Sequence, residues 1–219
     1  MRTIDLSHVM ETGMTVFPGS PQPQFTELAT VAVDGYSETF IGCSSHCGTH
    51  IDVPSHMLMG RASIDQIDVS QLTGWAQIID IRAKRIGDKI TIEDLRPYQK
   101  KIEAADFLVF WSGFDRLWGK DGYCDRFPTL TYEAAKWLSS FSLKALAIDA
   151  LSFDEMGVEQ FIIHKTMLGS ETLLIENLCG IEQLTSDHCF FVVLPLKWQN
   201  GDGSPVRVCA IEGIKEEDQ

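Results

Sequence analysis

The sequence predicts a mixed α/β fold in which strands outnumber helices. Several short runs have the length and the apolar, β-branched or aromatic composition of buried strands. These runs are Gln77–Ile81, Phe107–Trp111, Ala145–Ile148, Phe190–Leu196 and Val206–Ile211. Helical patterns separate only some of the runs, so the chain is not a strictly alternating βαβ protein.

Local signals predict two helices and one hairpin. The stretch TIED at positions 91–94 resembles a capping box with Asp in place of the usual Glu, and it predicts a helix towards Lys101. Thr131 is a candidate N-cap for a helix over Tyr132–Ser140, which carries an apolar stripe. The turn-rich stretch NGDG at 200–203 separates the last two strand runs and is typical of a hairpin.

Length and composition are those of an ordinary globular chain. The 219 residues contain no repeat, low-complexity tract or linker, so one domain over residues 1–219 is predicted. A hydrophobic content of 44% supplies a core without help from a metal. The net charge of -13, with no cluster of Lys and Arg, argues against a nucleic-acid partner. The acidic residues 216–218 are expected to form a solvated tail.

No segment indicates export or membrane insertion. The N-terminal stretch MRTIDLSHVMETGM lacks the apolar run of a signal peptide, and no other segment is suited to span a bilayer. The cysteines show no framework spacing, so reduced, buried thiols and a cytoplasmic location are expected. The six cysteines are Cys43, Cys47, Cys124, Cys179, Cys189 and Cys209.

The stretch HCGTHIDVPSH at positions 46–56 concentrates the chemically active side chains. His46, His50, Asp52 and His56 all occupy even positions. In an extended strand these side chains would share one face, and the mostly apolar residues between them would share the other. Imidazole and carboxylate groups bind metals and transfer protons near neutral pH, so the stretch predicts a metal or catalytic site.

A straight strand cannot form such a site by itself. At about 3.3 Å per residue, His46 and Asp52 would lie on the order of 20 Å apart. We therefore expect a bend at Gly48 together with ligands from other parts of the chain. A structural zinc site using Cys43 and Cys47 is an alternative, but a carboxylate among imidazoles favours a catalytic metal.

Other histidines and two loops have weaker signals. His8 and His188 are isolated, and we expect structural roles for them. The loops VFPGSP at 16–21 and 111–123 combine turn-forming residues with aromatic ones. Lining a pocket and covering a small core are equally good explanations for each loop.

The stretch at 46–56 resembles the HxGTHxDxPxH signature of the cyclase family of metal-dependent hydrolases, which includes bacterial kynurenine formamidases and isatin hydrolases. Every fixed position of the signature matches. Further similarities lie in IDLSH at 4–8, FPG at 17–19, SGF at 112–114 and IDALSFD at 148–154. His164 and Glu176 stand twelve residues apart, as do a His and a Glu of the family's metal site.

The resemblance implies a particular site and fold. The metal ligands would be His46, His50, Asp52, His164 and Glu176. They would hold one or two zinc or manganese ions, with the two carboxylates bridging if two ions bind, and His56 would act as the acid/base. A β-barrel-like central sheet with peripheral helices, and a homodimer or higher homo-oligomer, are also implied.

The implied reaction is metal-dependent hydrolysis of an amide C–N bond in a small molecule. An arylformamidase that converts N-formylkynurenine to kynurenine and formate in tryptophan catabolism is the first candidate. Kynurenine formamidases commonly carry Trp-Pro-Gly-Asp in the early loop, whereas this chain has Phe17 and Ser20 at the ends of that stretch. Phe17 is a candidate for stacking on an aryl substrate, and Met57 replaces an aromatic residue that often follows the last histidine of the signature.

Two alternatives to an arylformamidase stay open. An isatin-type or other cyclic-amide hydrolase would use the same metal ligands with a different pocket. A metal-binding module without enzymatic activity is the alternative of another class, and metal-dependent turnover of an amide would exclude it.

Overall fold

The computed structural model of the protein describes residues 1–214, so the predicted acidic tail at 216–218 lies outside the described residues. The strands are β1 (Arg2–Asp5), β2 (Gln24–Ala29), β3 (Glu38–Gly42), β4 (His50–Asp52), β5 (Thr73–Asp80), β6 (Lys89–Ile90), β7 (Phe107–Trp111), β8 (Thr129–Leu130), β9 (Ala145–Ile148), β10 (Leu173–Glu176), β11 (His188–Pro195) and β12 (Gly203–Glu212). The α-helices are α1 (Val31–Asp34), α2 (Ile92–Leu95), α3 (Gln99–Ala104), α4 (Tyr132–Leu138) and α5 (Ile162–Gly169).

Seven of these strands form a closed barrel. Their order is β12-β11-β5-β7-β9-β10-β4, and pairing of β4 with β12 closes the ring. Strands β5, β7, β9 and β10 run parallel, whereas the other pairings in the ring are antiparallel. Strand β1 pairs with the C-terminal part of β12. The prediction of a strand-rich α/β fold with a β-barrel-like central sheet is therefore confirmed.

The parallel strands separate two apolar clusters. In β7, Phe107 and Val109 pack into the cluster that fills the barrel. Leu108 and Phe110, which alternate with them, pack against the cluster that includes buried residues of α4 and α5. Because both faces of these strands are covered, their sequences are continuous apolar runs, as in other buried parallel sheets.

The predicted helices form, with shorter bounds. The helix predicted from 91 towards Lys101 is interrupted: α2 ends at Leu95, and a 3-10 turn over Arg96–Tyr98 leads into α3. Pro97 has no N–H with which to continue the helical hydrogen bonds. Thr131 caps α4 as predicted, since its Oγ1 accepts from the Ala134 N–H at 3.1 Å. Within residues 1–214 no helix is long and apolar enough to cross a membrane.

The cysteines are free thiols, in agreement with the predicted reduced state. Cys47 and Cys189 are buried, but Cys43 is exposed because it directly follows β3, whose residues are largely accessible to solvent. Cys124, Cys179 and Cys209 are half-buried, so the expectation of buried thiols is confirmed for two of the six and is wrong for Cys43.

His8 lies outside the barrel interior and packs on a tryptophan. Its ring stacks on Trp118 with centroids 3.9 Å apart. Among the residues described in 1–214, none accepts or donates a hydrogen bond at the buried Nε2 atom. Burial lowers the pKa of His8 to about 4, because the charged form would lose its hydration. This geometry agrees with the structural role expected from the sequence.

His8 is expected to make the protein less stable in mild acid. Its folded pKa is about 4, below the usual histidine value of 6.5, so the unfolded chain binds more protons between these pH values. The contribution to the free energy of unfolding is therefore complete above pH 6.5 and is lost as the pH falls towards 4. His8→Phe preserves the stacking and should reduce that loss by roughly 1–2 kcal/mol, allowing for partial exposure.

Urea unfolding of both proteins at pH 7 and pH 4.5 measures the difference. All other titrating groups are common to the two proteins, so wild type is the control for the variant. Equal losses of stability in both proteins would show that His8 is solvated in the folded state.

Candidate metal centre

The stretch at 46–56 is bent, as predicted, and is not one continuous strand. Only His50–Asp52 is β-strand, and Pro54–His56 forms a 3-10 turn. Gly48 has a φ of 64°, in the left-handed region that favours glycine, and a Cβ there would lie 2.9 Å from the Met14 Cε. The bend returns His46 towards β4, so that its Nδ1 lies 2.6 Å from Asp52 Oδ1.

Residues from the second half of the chain complete the cluster. Strand β10 pairs with β4 so that Glu176 lies opposite His50, and their Oε2 and Nε2 atoms are 3.5 Å apart. His164, on α5, places its Nε2 3.3 Å from Asp52 Oδ2 and 3.2 Å from Glu176 Oε1. All five side chains that the resemblance implies as ligands therefore lie together at one end of the barrel.

Each of the three imidazoles that the resemblance implies as ligands is held through one ring nitrogen. His46 Nε2 lies 3.1 Å from Asp202 Oδ2, and His164 Nδ1 lies 2.6 Å from Asp154 Oδ2. The backbone carbonyl of Gly48 lies 2.8 Å from the Nδ1 of His50. The opposite nitrogen of each ring faces the carboxylates of Asp52 or Glu176. Outer contacts of this kind fix the tautomer and the ring orientation of metal-binding histidines.

Sequence reasoning assigned no role to Asp154 or Asp202. Asp154 also accepts hydrogen bonds from the backbone N–H groups of Ile163 and His164, at 3.0 Å each, and so caps the start of α5 from several residues upstream. Asp202 lies in the predicted β11–β12 turn, far from the signature in sequence. Asp154 ends the stretch IDALSFD that resembles the family, but nothing in that stretch links it to His164, and Asp202 lies 156 residues from His46, so both contacts depend on the fold.

The carboxylates shift the pKa values of the histidines. Burial disfavours the charged form of His46, but the carboxylates of Asp52 and Asp202 outweigh it and raise its pKa to about 9. Burial also opposes protonation of His164, yet Asp154, Asp52 and Glu176 hold its pKa well above the usual value. For His56 burial prevails and the pKa is lowered. The cluster therefore stabilises cations, and a metal ion would compete there with protons.

The donor set fits a divalent ion. Within residues 1–214, two groups of three side chains have ligand atoms no more than 4.8 Å apart: His50, Asp52 and Glu176, and His46, Asp52 and His56. Asp52 belongs to both groups. Imidazole and carboxylate together suit zinc or manganese. Neither Cys43 nor Cys47 belongs to a group with this spacing in the described part of the chain, so the structure does not support the structural zinc alternative.

The cluster forms the floor of a cavity of about 260 Å³. The loop at 15–20 supplies one wall, and Phe17 and Ser20 are among its lining residues. Met57, Leu151 and Phe161 line the remainder together with small polar residues. The loop at 16–21 thus lines a pocket, the first of its two explanations.

The loop at 111–123 covers a core instead. Phe114 and Tyr123 are buried in the apolar cluster that includes residues of α4 and α5. Trp118 packs against this cluster and on His8. The Asp149 carboxylate fixes the start of this loop, accepting hydrogen bonds from the backbone N–H groups of Ser112 and Gly113. Its aromatic residues therefore support the fold, the second of the two explanations.

Replacing Asp154 with Asn is expected to weaken metal binding by about 10–100-fold, because the charge that orients His164 is lost. The amide oxygen can still accept from the start of α5, so the fold should be preserved. Zinc affinity, measured by competition with a chromophoric chelator, checks the prediction. Asp125→Asn, at an exposed position away from the cluster, is the matched control. Equal affinities in the two variants would contradict it.

Comparisons with known proteins identify the family of the chain and match its fold. Residues 4–155 match the family described as putative cyclase. The chain is 30% identical over 196 residues to an uncharacterised protein of Methanocaldococcus jannaschii, covering 89% of this chain and 92% of that protein. It is 26% identical over 211 residues to a kynurenine formamidase of Erythrobacter litoralis, covering 94% and 92% of the two chains.

Isatin hydrolase A from Ralstonia solanacearum has a similar fold, with a TM-score of 0.85 at 22% identity over 96% of this chain and 92% of that one. The family match includes the whole stretch at 46–56, and the chain belongs to the cyclase family.

Proposed function

We propose that the protein is a metal-dependent hydrolase of amide C–N bonds. The observation that carries the proposal is the convergence of imidazole and carboxylate groups on the floor of a cavity. The ligands would be His46, His50, Asp52, His164 and Glu176. Since these groups are buried or nearly so and the walls are mostly apolar, a small molecule in the cavity would be shielded from bulk water.

A divalent ion held by these residues would supply Lewis acidity, which polarises an amide carbonyl and makes water acidic enough to react near neutral pH. The chain's own residues would handle the protons. His56 lines the cavity beside the cluster, with its ring 3.9 Å from that of His46 and its Nδ1 3.8 Å from Asp202. Its imidazole would transfer a proton to the leaving nitrogen of the amide.

The shared position of Asp52 supports a site for two ions. Its two carboxylate oxygens face different histidines: Oδ1 faces His46 and His50, and Oδ2 faces His164. Asp52 would therefore help to hold each ion if two bind. Zinc and manganese are both compatible with the donor set.

An arylformamide is the first candidate substrate. The similarity to a kynurenine formamidase extends over 94% of this chain, and Phe17 lies in the cavity where it could stack on an aryl ring. A cyclic amide of the isatin type is the second candidate. It is favoured by the small cavity and by Met57, whose flexible thioether adapts to compact ligands of several shapes.

Formate release from formamides, together with formation of the ring-opened carboxylate from isatin, tests this proposal. Chelator-stripped protein would be assayed with N-formylkynurenine, with other aryl formamides, and with isatin as the cyclic amide, before and after addition of zinc or manganese. Turnover that returns only with metal is the expected result and would identify a competent ion. Stoichiometric metal binding without turnover of any of these amides would instead favour a binding module without enzymatic activity.

A further inference from the structure

The charged groups of the cavity are confined to its floor. The two carboxylates that line it are Asp52 and Glu176, and both belong to the metal cluster. The imidazoles in the lining belong to the same cluster or, like His56, contact it. These groups would be occupied by metal and by the reacting amide, so they are not available to neutralise charges elsewhere on a substrate.

The walls above the floor carry no formal charge. Phe17, Met57, Leu151 and Phe161 supply apolar surface, and the polar wall residues, such as Ser20, are neutral. Of all the Lys and Arg residues in the described range 1–214, none lines the cavity. Hydroxyl groups can form hydrogen bonds to a carboxylate, but they cannot neutralise it.

Phe161 is held in this wall at an energetic cost. Its backbone has φ 45° and ψ 53°, a left-handed conformation that is unusual for a bulky residue. The residue lies directly before α5, and its ring is 6.2 Å from that of His164 in an edge-on arrangement. Strain of this kind persists where the surrounding structure imposes it, and it is concentrated at ligand sites. The fold therefore holds an apolar aromatic side chain in the wall of the cavity.

We infer that this site takes amides whose non-reacting part is aromatic and uncharged, and that it discriminates against an amino-acid tail. The inference rests on the proposed function and narrows its substrate class. A tail with both an ammonium and a carboxylate would lose hydration in the cavity without finding an opposite charge, which is unfavourable. The volume of about 260 Å³ also lies below the usual ~300–1,000 Å³ of ligand pockets, so the tail has little room to avoid the walls.

A matched pair of substrates tests the inference. N-(2-butanoylphenyl)formamide has the carbon skeleton of N-formylkynurenine but lacks its ammonium and carboxylate groups. Both release formate and an arylamine when water cleaves the formamide bond. With the metal-loaded protein we expect kcat/KM to be at least tenfold higher for the uncharged compound. A ratio of threefold or less would overturn the inference.

A charge placed in the wall gives a second measurement. Ser20→Lys should lower the ratio of the two kcat/KM values at least threefold, because the new ammonium group can pair with the tail carboxylate. Ser37→Lys adds the same charge at an exposed position outside the cavity and should leave the ratio unchanged. An unchanged ratio in Ser20→Lys would show that the tail does not contact this wall, and would overturn the inference.

Failure of the proposed hydrolase activity can be distinguished from failure of the inference about the substrate. If neither formamide is hydrolysed, the proposed activity fails for this substrate class, and calorimetric binding to the metal-loaded protein replaces kcat/KM as the readout. Binding of the uncharged compound at least tenfold tighter than N-formylkynurenine would still support the inference. Equal binding, or no binding of the uncharged compound, would overturn it.

Discussion

Asp52→Asn is expected to lose more than ~100-fold in metal affinity and to reduce amide hydrolysis to the background rate. This loss of affinity is larger than the one expected when a residue that contacts only a ligand is replaced. The carboxylate is buried, and its two oxygens lie 2.6 Å from His46 Nδ1 and 3.3 Å from His164 Nε2. Among the described residues, Asp52 is the one side chain shared by the two groups that could hold a metal. Asn has nearly the same size, but its amide nitrogen cannot bind a cation. Metal stoichiometry after dialysis and formate release measure the two effects.

The interpretation of this variant requires a folded protein. Circular dichroism and thermal unfolding of the chelated wild type and variant would establish that, and Asp125→Asn again controls for the loss of one charge at an exposed site. If Asp52→Asn retains stoichiometric metal and activity, the ion is held elsewhere and the proposed site is wrong.

His56→Gln is expected to reduce kcat by about 10²–10⁴-fold while metal stoichiometry stays unchanged, because a general acid/base is lost but the ligands remain. The competing role for His56 is that of a metal ligand, since one of its nitrogens lies within 4.8 Å of ligand atoms of His46 and Asp52. A residue in that position could bind metal directly. Measuring kcat and metal content on the same preparation separates the two roles.

Two further measurements complete the His56 experiment. His188→Gln removes an imidazole that stacks on Trp75 and does not line the cavity, so its kcat should match wild type. Loss of metal from His56→Gln would make the residue a ligand and transfer the acid/base role to another group. Because burial lowers the pKa of His56, its neutral form should predominate at neutral pH, when it can accept a proton before it donates one.

The strands could be predicted because a buried strand has a continuous run of apolar residues in the sequence. The bounds of β7 and β9 agree with the apolar runs that predicted them, since both faces of these strands are covered and every residue must be apolar. The cap of α4 is also local, because Thr131 and the N–H it binds are three residues apart. The break between α2 and α3 has a local cause too, because Pro97 lies within the helix predicted from 91 towards Lys101.

The candidate site was predictable only in part. The alternating side chains at 46–56 identified the metal-binding residue types, and the length of a strand required a bend. The bend itself depends on Gly48, whose left-handed φ and close approach to Met14 exclude a side chain. His164 and Glu176 have no local pattern that marks them as ligands, and their assignment came from resemblance to a family. The register of β10 on β4 is what places Glu176 beside His50.

By itself the sequence determined the strand-rich class and the concentration of imidazole and carboxylate groups at 46–56, because periodicity, caps and side-chain types act over a few residues. Only the tertiary structure decided that the barrel closes between β4 and β12, which loop lines the cavity, and that Asp154 and Asp202 orient His164 and His46. These features depend on contacts between residues 10 to 156 positions apart. Such contacts arise from strand register and helix packing, which no short stretch of sequence encodes.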